Sequence, residues 1–247
     1  MELTPVARDL PPEVRRLLVS ADALCPLARG EAGMLSLAFV STADYGLLPA
    51  LLRKFGARYP GVRLQLTEAT SDVQTEELVA GRIDVGLVIP SLPPRHAISL
   101  SYLPVAREPL VIARSEEQSR QLGQDASAPV DLRDLAAAPL VVFPRRLAPG
   151  LYYIAMGCYG AAGLTPRIGQ EAIQMQTIVN LVSAGMGAAL VPESLRHLRC
   201  TSVVYRPLLG AGLSVETGLV WRCAEVSPAL AGFIEIVRSR PAALSAL

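Results

Sequence analysis

Apolar residues recur along this chain first at helical spacing and then at alternating helical and strand spacing. Over residues 12–29, Val14, Leu17, Leu18, Ala21, Leu24, Cys25 and Ala28 return at steps of three and four, the period of one helix face. Glu13, Arg15, Arg16 and Asp22 fall on the opposite face, and Pro11 and Pro12 precede it, where proline is tolerated. Such a seam packs either on the body of its own chain or on a second copy. The joint Gly30-Glu31-Ala32-Gly33 behind it favours pairing with a copy.

From Met34 the pattern becomes strand, helix, strand. Met34–Val40 is a short apolar run, and Ser41-Thr42 follows as a pair suited to a helix N-cap. Leu47–Tyr59 has helical spacing and stops at Pro60-Gly61. Val62–Glu68 alternates as a strand, Thr70-Ser71-Asp72 opens a helix running to Ala80, and Gly81 ends it. Ile83–Ile89 reads as a third strand. This βαβαβ run predicts parallel pairing with right-handed crossovers.

Pro90 to Pro94 interrupts the pattern. Ile98–Tyr102 and Leu110–Ala113 read as separate strands, and Arg114 to Arg133 as a polar stretch. A second α/β unit then begins: strand Leu140–Phe143, helix Leu151–Ala162, strand Ile168–Glu171, helix Met175–Ala184, a turn at Gly185-Met186-Gly187 and strand Ala188–Val191. Val203–Arg206 and Leu219–Trp221 are further strands, and Ala229–Arg238 a closing helix. Two such units predict an α/β fold of two Rossmann-like lobes sharing a central cleft, with the chain crossing near Val105–Pro109 and Tyr205–Leu208.

Composition supports a packed interior and narrows the partners. Of 247 residues, 51% are hydrophobic, 18% charged and 5% aromatic, which suits a core of buried parallel strands. The formal net charge of +1, with Lys54 as the sole lysine, provides no broad field for nucleic acid, whose affinity rests on neutralised phosphates. Cys25, Cys158, Cys200 and Cys223 form no C-x-x-C pair and no zinc spacing, even with His96 and His197. They read as reduced packing residues, so neither a metal nor another cofactor is expected. The first thirty residues carry Arg8, Asp9, Glu13, Arg15 and Arg16 without an unbroken apolar stretch, unlike a signal peptide. A cytoplasmic protein with no membrane partner is the expectation.

The candidate chemistry lies where strands end. Ser41-Thr42 and Thr70-Ser71 each follow a strand and open a helix, where free N–H groups and positive potential suit an anion. Plain capping is the competing reading for each hydroxyl. Phe143-Pro144-Arg145-Arg146 follows the first strand of the second unit, and its arginines suit either a carboxylate or a solvated turn. Glu171 and Gln174 flank the next strand end and either line the cleft or face solvent. Asp84 reads as a turn and strand-edge partner. No G-x-S-x-G elbow, phosphate loop or histidine-supported nucleophile occurs, so no enzyme is expected.

Several segments, taken in order, resemble the effector-binding domain of LysR-type transcription regulators. They are Phe39-Val40-Ser41, Leu48-Pro49, Phe55 with Tyr59-Pro60-Gly61-Val62, the run Glu77 to Gly86, Glu108-Pro109-Leu110-Val111, and the run Val182 to Pro192. The resemblance covers residues 33 to about 240. Gln176-Thr177 and Trp221-Arg222 resemble the branch that senses aromatic acids and related catabolites. It implies a fold similar to type 2 periplasmic binding proteins and a small-molecule effector, anionic or aromatic, in the cleft. It further implies a homo-oligomer, dimer or tetramer, that reaches promoter DNA only through a winged helix-turn-helix domain.

Leu3 to Arg8 resembles the junction where that winged domain ends, implying a fragment without the rest of it. Residues 1–30 then correspond to junction and linker helix, 31–106 plus 208–247 to the first lobe, and 107–207 to the second. The family's ligand positions fall on Ser41, Ser71 and Pro144, with Thr70 adjacent and Arg146 near a further contact that differs in type here. Dicarboxylate binders of the family often carry an arginine just after the strand ending at Gly86. Val88-Ile89-Pro90 stands there, which points away from a dicarboxylate. A transporter's solute-binding protein shares the fold and is the alternative, but has no use for a dimerising helix at 12–29.

Overall fold

The computed structural model describes residues 14, 32–90, 99–121, 128–135, 137–198, 200–210, 213–224 and 226–240. Apart from Val14, the helix expected over 12–29 lies outside them, as do Cys25 and His96.

Strand β1 (Ala32–Phe39) runs into a 3-10 turn, Ser41–Tyr45, and then α1 (Leu47–Arg58). Leu48, Leu51 and Phe55 return at steps of three and four and are the buried positions of α1. β2 (Gly61–Glu68), α2 (Ser71–Val79) and β3 (Val85–Val88) follow. β1 pairs in parallel with both β2 and β3, as the βαβαβ pattern predicts. Asp84 takes the strand-edge role expected of it: its carboxylate accepts the Ser36 N–H at 2.8 Å.

Next come β4 (Leu100–Ser115), α3 (Glu116–Gln121), β5 (Leu140–Val142), α4 (Pro149–Ala161), β6 (Ile168–Glu171) and α5 (Met175–Ser183). β7 (Ala189–Pro192), β8 (Val203–Pro207), β9 (Ser214–Arg222) and α6 (Pro228–Arg238) close the chain. The main sheet has the order β2-β1-β3-β9-β4-β7, with β8 also on β4. β5 and β6 pair in parallel, and the Val141 N–H donates to Ala188 O at 2.8 Å beside β7.

β4 corrects the sequence reading. One strand of 16 residues replaces the two short ones expected. Proline offers no N–H to a ladder, so Pro104 and Pro109 read as breaks. The fold tolerates both: the register shifts between Pro104 and Ala106, and the pairing with β9 ends at Pro109. From Leu110 to Ser115 the same strand pairs with β7 and β8. β4 therefore belongs to both lobes and joins them. Glu108 fixes this crossing by accepting the Ser194 N–H at 2.8 Å, while burial pushes its carboxyl pKa up.

The larger core runs through both units, joining Leu35 and Phe55 with Ile112, Leu140 and Tyr159. Phe55, Phe233 and Leu35 are fully buried in it beneath β1 and α6, and Met175, Ile178, Val179 and Val182 of α5 pack in a second cluster with Val111 and Val191. The expected polar stretch 114–133 opens on a buried arginine, Arg114, and a second, Arg206, lies beside it on β8. Arg114 and Arg206 are 8% and 3% exposed and lie on one face of neighbouring strands. Arg206 Nε donates to Ala128 O at 2.7 Å, whereas Arg114 Nε has no hydrogen-bond partner. Burial, then the Arg206 charge, lowers the pKa of Arg114, with Asp134 opposing.

A buried guanidinium nitrogen without an acceptor, as at Arg114 Nε, is a net cost that an apolar stem of similar length avoids. Arg114→Met is expected to stabilise the fold by about 1 kcal/mol, roughly 2–4 °C in Tm. Thermal unfolding checks this, and a fall of similar size would mean that an acceptor holds the guanidinium in solution.

Candidate functional site

A cavity of about 230 Å³ lies between the lobes. Its wall comes from the carboxyl ends of five strands, the edge at which open α/β sheets gather ligands. β1 contributes Val40 and then Ser41 and Thr42; β2 contributes Glu68, Ala69 and Thr70, leading into Ser71 and Asp72 of α2; β3 ends at Ile89. From the other side come Phe143 after β5, the stretch Leu147 to Leu151 that starts α4, and Ile173 and Gln174 between β6 and α5. Three α-helices thus begin at this cavity, and the first N–H groups of a helix have no partner within it.

The hydroxyls there do not cap. The 3-10 turn follows Val40, so Ser41 and Thr42 are its first residues and not the α-helix caps expected. Thr70 precedes α2 but makes no side-chain cap, and neither does Gln174 before α5. Ser71 Oγ accepts the Ile89 N–H at 3.1 Å, which joins α2 to the end of β3 and leaves the hydroxyl proton free to donate. Thr75 Oγ1 donates to Ser71 O at 2.7 Å and steadies the same turn. Thr42 is 3% exposed, and its Oγ1 has no partner. A buried hydroxyl left unpaired costs roughly 1–3 kcal/mol, so one on a cavity wall marks a place for a ligand's polar atom.

A buried amide supports this wall from behind. Gln74 is fully buried, and its Nε2 donates to Ala69 O at 2.8 Å. Gly86 permits this, because a Cβ there would lie 2.6 Å from Gln74 Oε1. Beside the cavity, burial first and then Asp44 and Glu68 raise the Tyr45 pKa.

Of the residues singled out from sequence, Ser41, Thr42, Thr70, Ser71, Phe143 and Gln174 meet on this wall. Pro144, Arg145, Arg146 and Glu171 are not on it. Arg145 turns back instead, its Nε donating to Tyr153 Oη at 2.7 Å with the guanidinium 5.3 Å from the ring centroid. Arg146 and Glu171 are exposed. Sequence reasoning missed Glu68, Asp72, Ile89, Ile173 and the loop before α4. Pro149, at the start of α4, was the one available signal for that helix start. Among the described residues no cluster of His, Cys, Asp and Glu could hold a metal ion, and no helix is long and apolar enough to cross a membrane.

With this geometry in place, the profile described as LysR substrate binding domain matches residues 28–242. The chain belongs to that family. The LysR domain is 45% identical over 243 residues to the HTH-type transcriptional regulator IlvR of Caulobacter vibrioides, covering 96% of this chain and 79% of that protein. It is 32% identical over 242 residues to the HTH-type transcriptional regulator TcbR of Pseudomonas sp. (strain P51), covering 96% and 80%.

Among solved structures, CbnR, a LysR family transcriptional regulator, superposes with a TM-score of 0.77 at 31% identity, covering 96% of this chain and 81% of that one. CbnR has also been solved in complex with its target DNA. The BenM effector binding domain with its effector benzoate superposes with a TM-score of 0.70 at 25% identity, covering 83% and 90%. The LysR domain therefore has the two-lobed effector-binding fold of transcription regulators.

Proposed function

We propose that the LysR domain senses a small carboxylate-bearing metabolite in the cavity between its lobes. One observation carries this reading: five strand ends and three helix starts converge on a cavity whose buried Thr42 hydroxyl is unpaired. Ser41, Thr42, Thr70 and Ser71 would donate to the carboxylate, and Phe143 would cover the apolar part. Residues 31–106 with 208–247 form one lobe in this reading and 107–207 the other. The ligand would favour one angle between them, and it shifts that equilibrium only by its difference in affinity for the two states.

Residues 12–29 would carry the change to a second copy in a dimer or tetramer. Promoter DNA would be reached through a winged-helix domain, in the cytoplasm. The wall offers hydroxyls and the carboxylates of Glu68 and Asp72, with no histidine or cysteine, and in this reading the domain is a sensor.

The test begins with a thermal-shift screen of small carboxylates, because a ligand that binds the native state raises its apparent stability. Ser71→Ala then removes one donor to a charged acceptor. About a tenfold loss of affinity for the stabilising carboxylate is expected by calorimetry, with Tm lowered by about 2–8 °C because the Ile89 N–H loses its acceptor. Unchanged affinity would remove this cavity from the account.

A further inference from the structure

The cavity carries an electrostatic asymmetry that a simple carboxylate does not explain. Its wall holds two acids, Glu68 and Asp72, and no lysine, arginine or histidine. Neither acid forms an ion pair among the described residues. The arginines nearest in sequence, Arg145 and Arg146, are not on the wall. Asp72 also offsets part of the positive potential at the start of α2. A ligand bearing only negative charge would enter against two carboxylates with no cation to compensate, and a dianion would fare worse. A ligand bearing only positive charge would leave the Thr42 hydroxyl and the helix-start N–H groups without an acceptor.

From this we infer that the ligand is a zwitterionic α-amino acid with an apolar side chain, an inference that rests on the effector-sensing reading above. Its carboxylate takes the hydroxyls of Thr42 and Ser71 and the free N–H groups at the start of α2. The Ser71 hydroxyl accepts from the Ile89 N–H at 3.1 Å and keeps its own proton to donate. Its ammonium faces Glu68 and Asp72. Its side chain meets Ile89, Phe143, Leu147, Leu151 and Ile173, the apolar remainder of the wall. The cavity of about 230 Å³ falls below the roughly 300–1,000 Å³ of sites for drug-sized ligands, which suits one amino acid and not a peptide.

The experiment titrates the intact chain with L-valine, L-isoleucine, L-leucine and L-phenylalanine. Each is paired with its deaminated acid and its decarboxylated amine, for leucine 4-methylpentanoate and 3-methylbutylamine. At least one amino acid is expected to bind about tenfold or more tighter than both of its singly charged analogues. The exposed pair Glu68→Gln and Asp72→Asn, made together, is expected to abolish that preference by weakening the amino acid and not the acid.

An acid that binds as tightly as its amino acid overturns the inference and leaves the sensing of a carboxylate intact. Failure of all four amino acids to bind at millimolar concentration overturns it as well. A preference that survives in the Glu68→Gln, Asp72→Asn chain overturns the assigned partners of the ammonium. If instead a ligand binds and Ser71→Ala leaves its affinity unchanged, the cavity itself is the wrong site and both readings fall.

Discussion

Phe233→Ala is expected to cost about 3–5 kcal/mol of folding stability, the range for emptying a fully buried aromatic site. Phe233 has no exposed surface, and its ring meets Phe55 edge-on at a centroid distance of 5.4 Å. Phe55 in turn packs on Tyr59 at 5.0 Å, so one side chain of α6 holds α1 against the sheet. Pro228 and the Ser227 cap, which accepts the Leu230 N–H at 3.2 Å, fix where α6 begins. Native domains carry about 5–15 kcal/mol in all, so this single change removes a large share. Urea unfolding measures it. Phe233 is not on the cavity wall, and ligand affinity of the folded fraction should therefore hold. A loss under about 1 kcal/mol would mean that this cluster is not packed as described.

Gly218→Ala is expected to destabilise by about 1–3 kcal/mol, the usual cost of forcing atoms into filled space. The Tyr102 ring lies directly against Gly218, where an added Cβ would overlap it. That ring cannot simply swing away. Its hydroxyl donates to Glu216 Oε1 at 2.6 Å, and burial and this bond together raise its pKa well above the ordinary phenol range. Tyr102 and Gly218 are diagonal neighbours across the β4–β9 pair, Tyr102 opposite Val220 and Gly218 opposite Pro104, next to the register shift at Pro104 and Ala106. Removing the ring with Tyr102→Ala should relieve part of the clash, so the double variant is less destabilised than the sum of the singles. Strict additivity in denaturant melts would place the two residues apart.

Much of this fold was legible because local signals agreed. Met34–Val40 is a short apolar run that becomes β1, Leu48, Leu51 and Phe55 keep helical spacing in α1, and Pro60-Gly61 marks the return. Parallel pairing of β1 with β2 and β3 followed from their order. The continuity of β4 was not legible. Pro104 and Pro109 are local breaks, and only the distant partners β9, β7 and β8 make one strand of them.

The same divide runs through the site. Ser41, Thr42, Thr70 and Ser71 were found because strand ends and helix starts are visible in sequence. Their hydroxyls proved not to cap, a matter of backbone geometry that no spacing encodes. Arg145 seemed suited to a carboxylate until Tyr153, eight residues on, took its guanidinium. Gln74 and Arg114 are polar residues in polar surroundings along the chain, and only tertiary packing buries them. Glu68 read only as the end of a strand and Asp72 only as part of a helix start. Their meaning depends on the absence of a cation from a wall assembled by five separate strand ends.

In the proposed function, the joined lobes give the cavity a route to signal. β4 runs through both lobes without interruption, and Glu108, Pro109 and the β4–β9 register shift lie where it changes partners. In that reading, a ligand bridging Ser71 on one side and Phe143 on the other would act across this strand. Only a bridge that fits one lobe angle better than another moves the population.

The most direct measurement is a crystal structure of the chain grown with the best stabilising carboxylate of the thermal-shift screen. The account predicts ligand density between the lobes, with the carboxylate within hydrogen-bond distance of Thr42 Oγ1 and Ser71 Oγ and the apolar part against Phe143. Clear density elsewhere, with the Thr42 hydroxyl still unpaired, would contradict it.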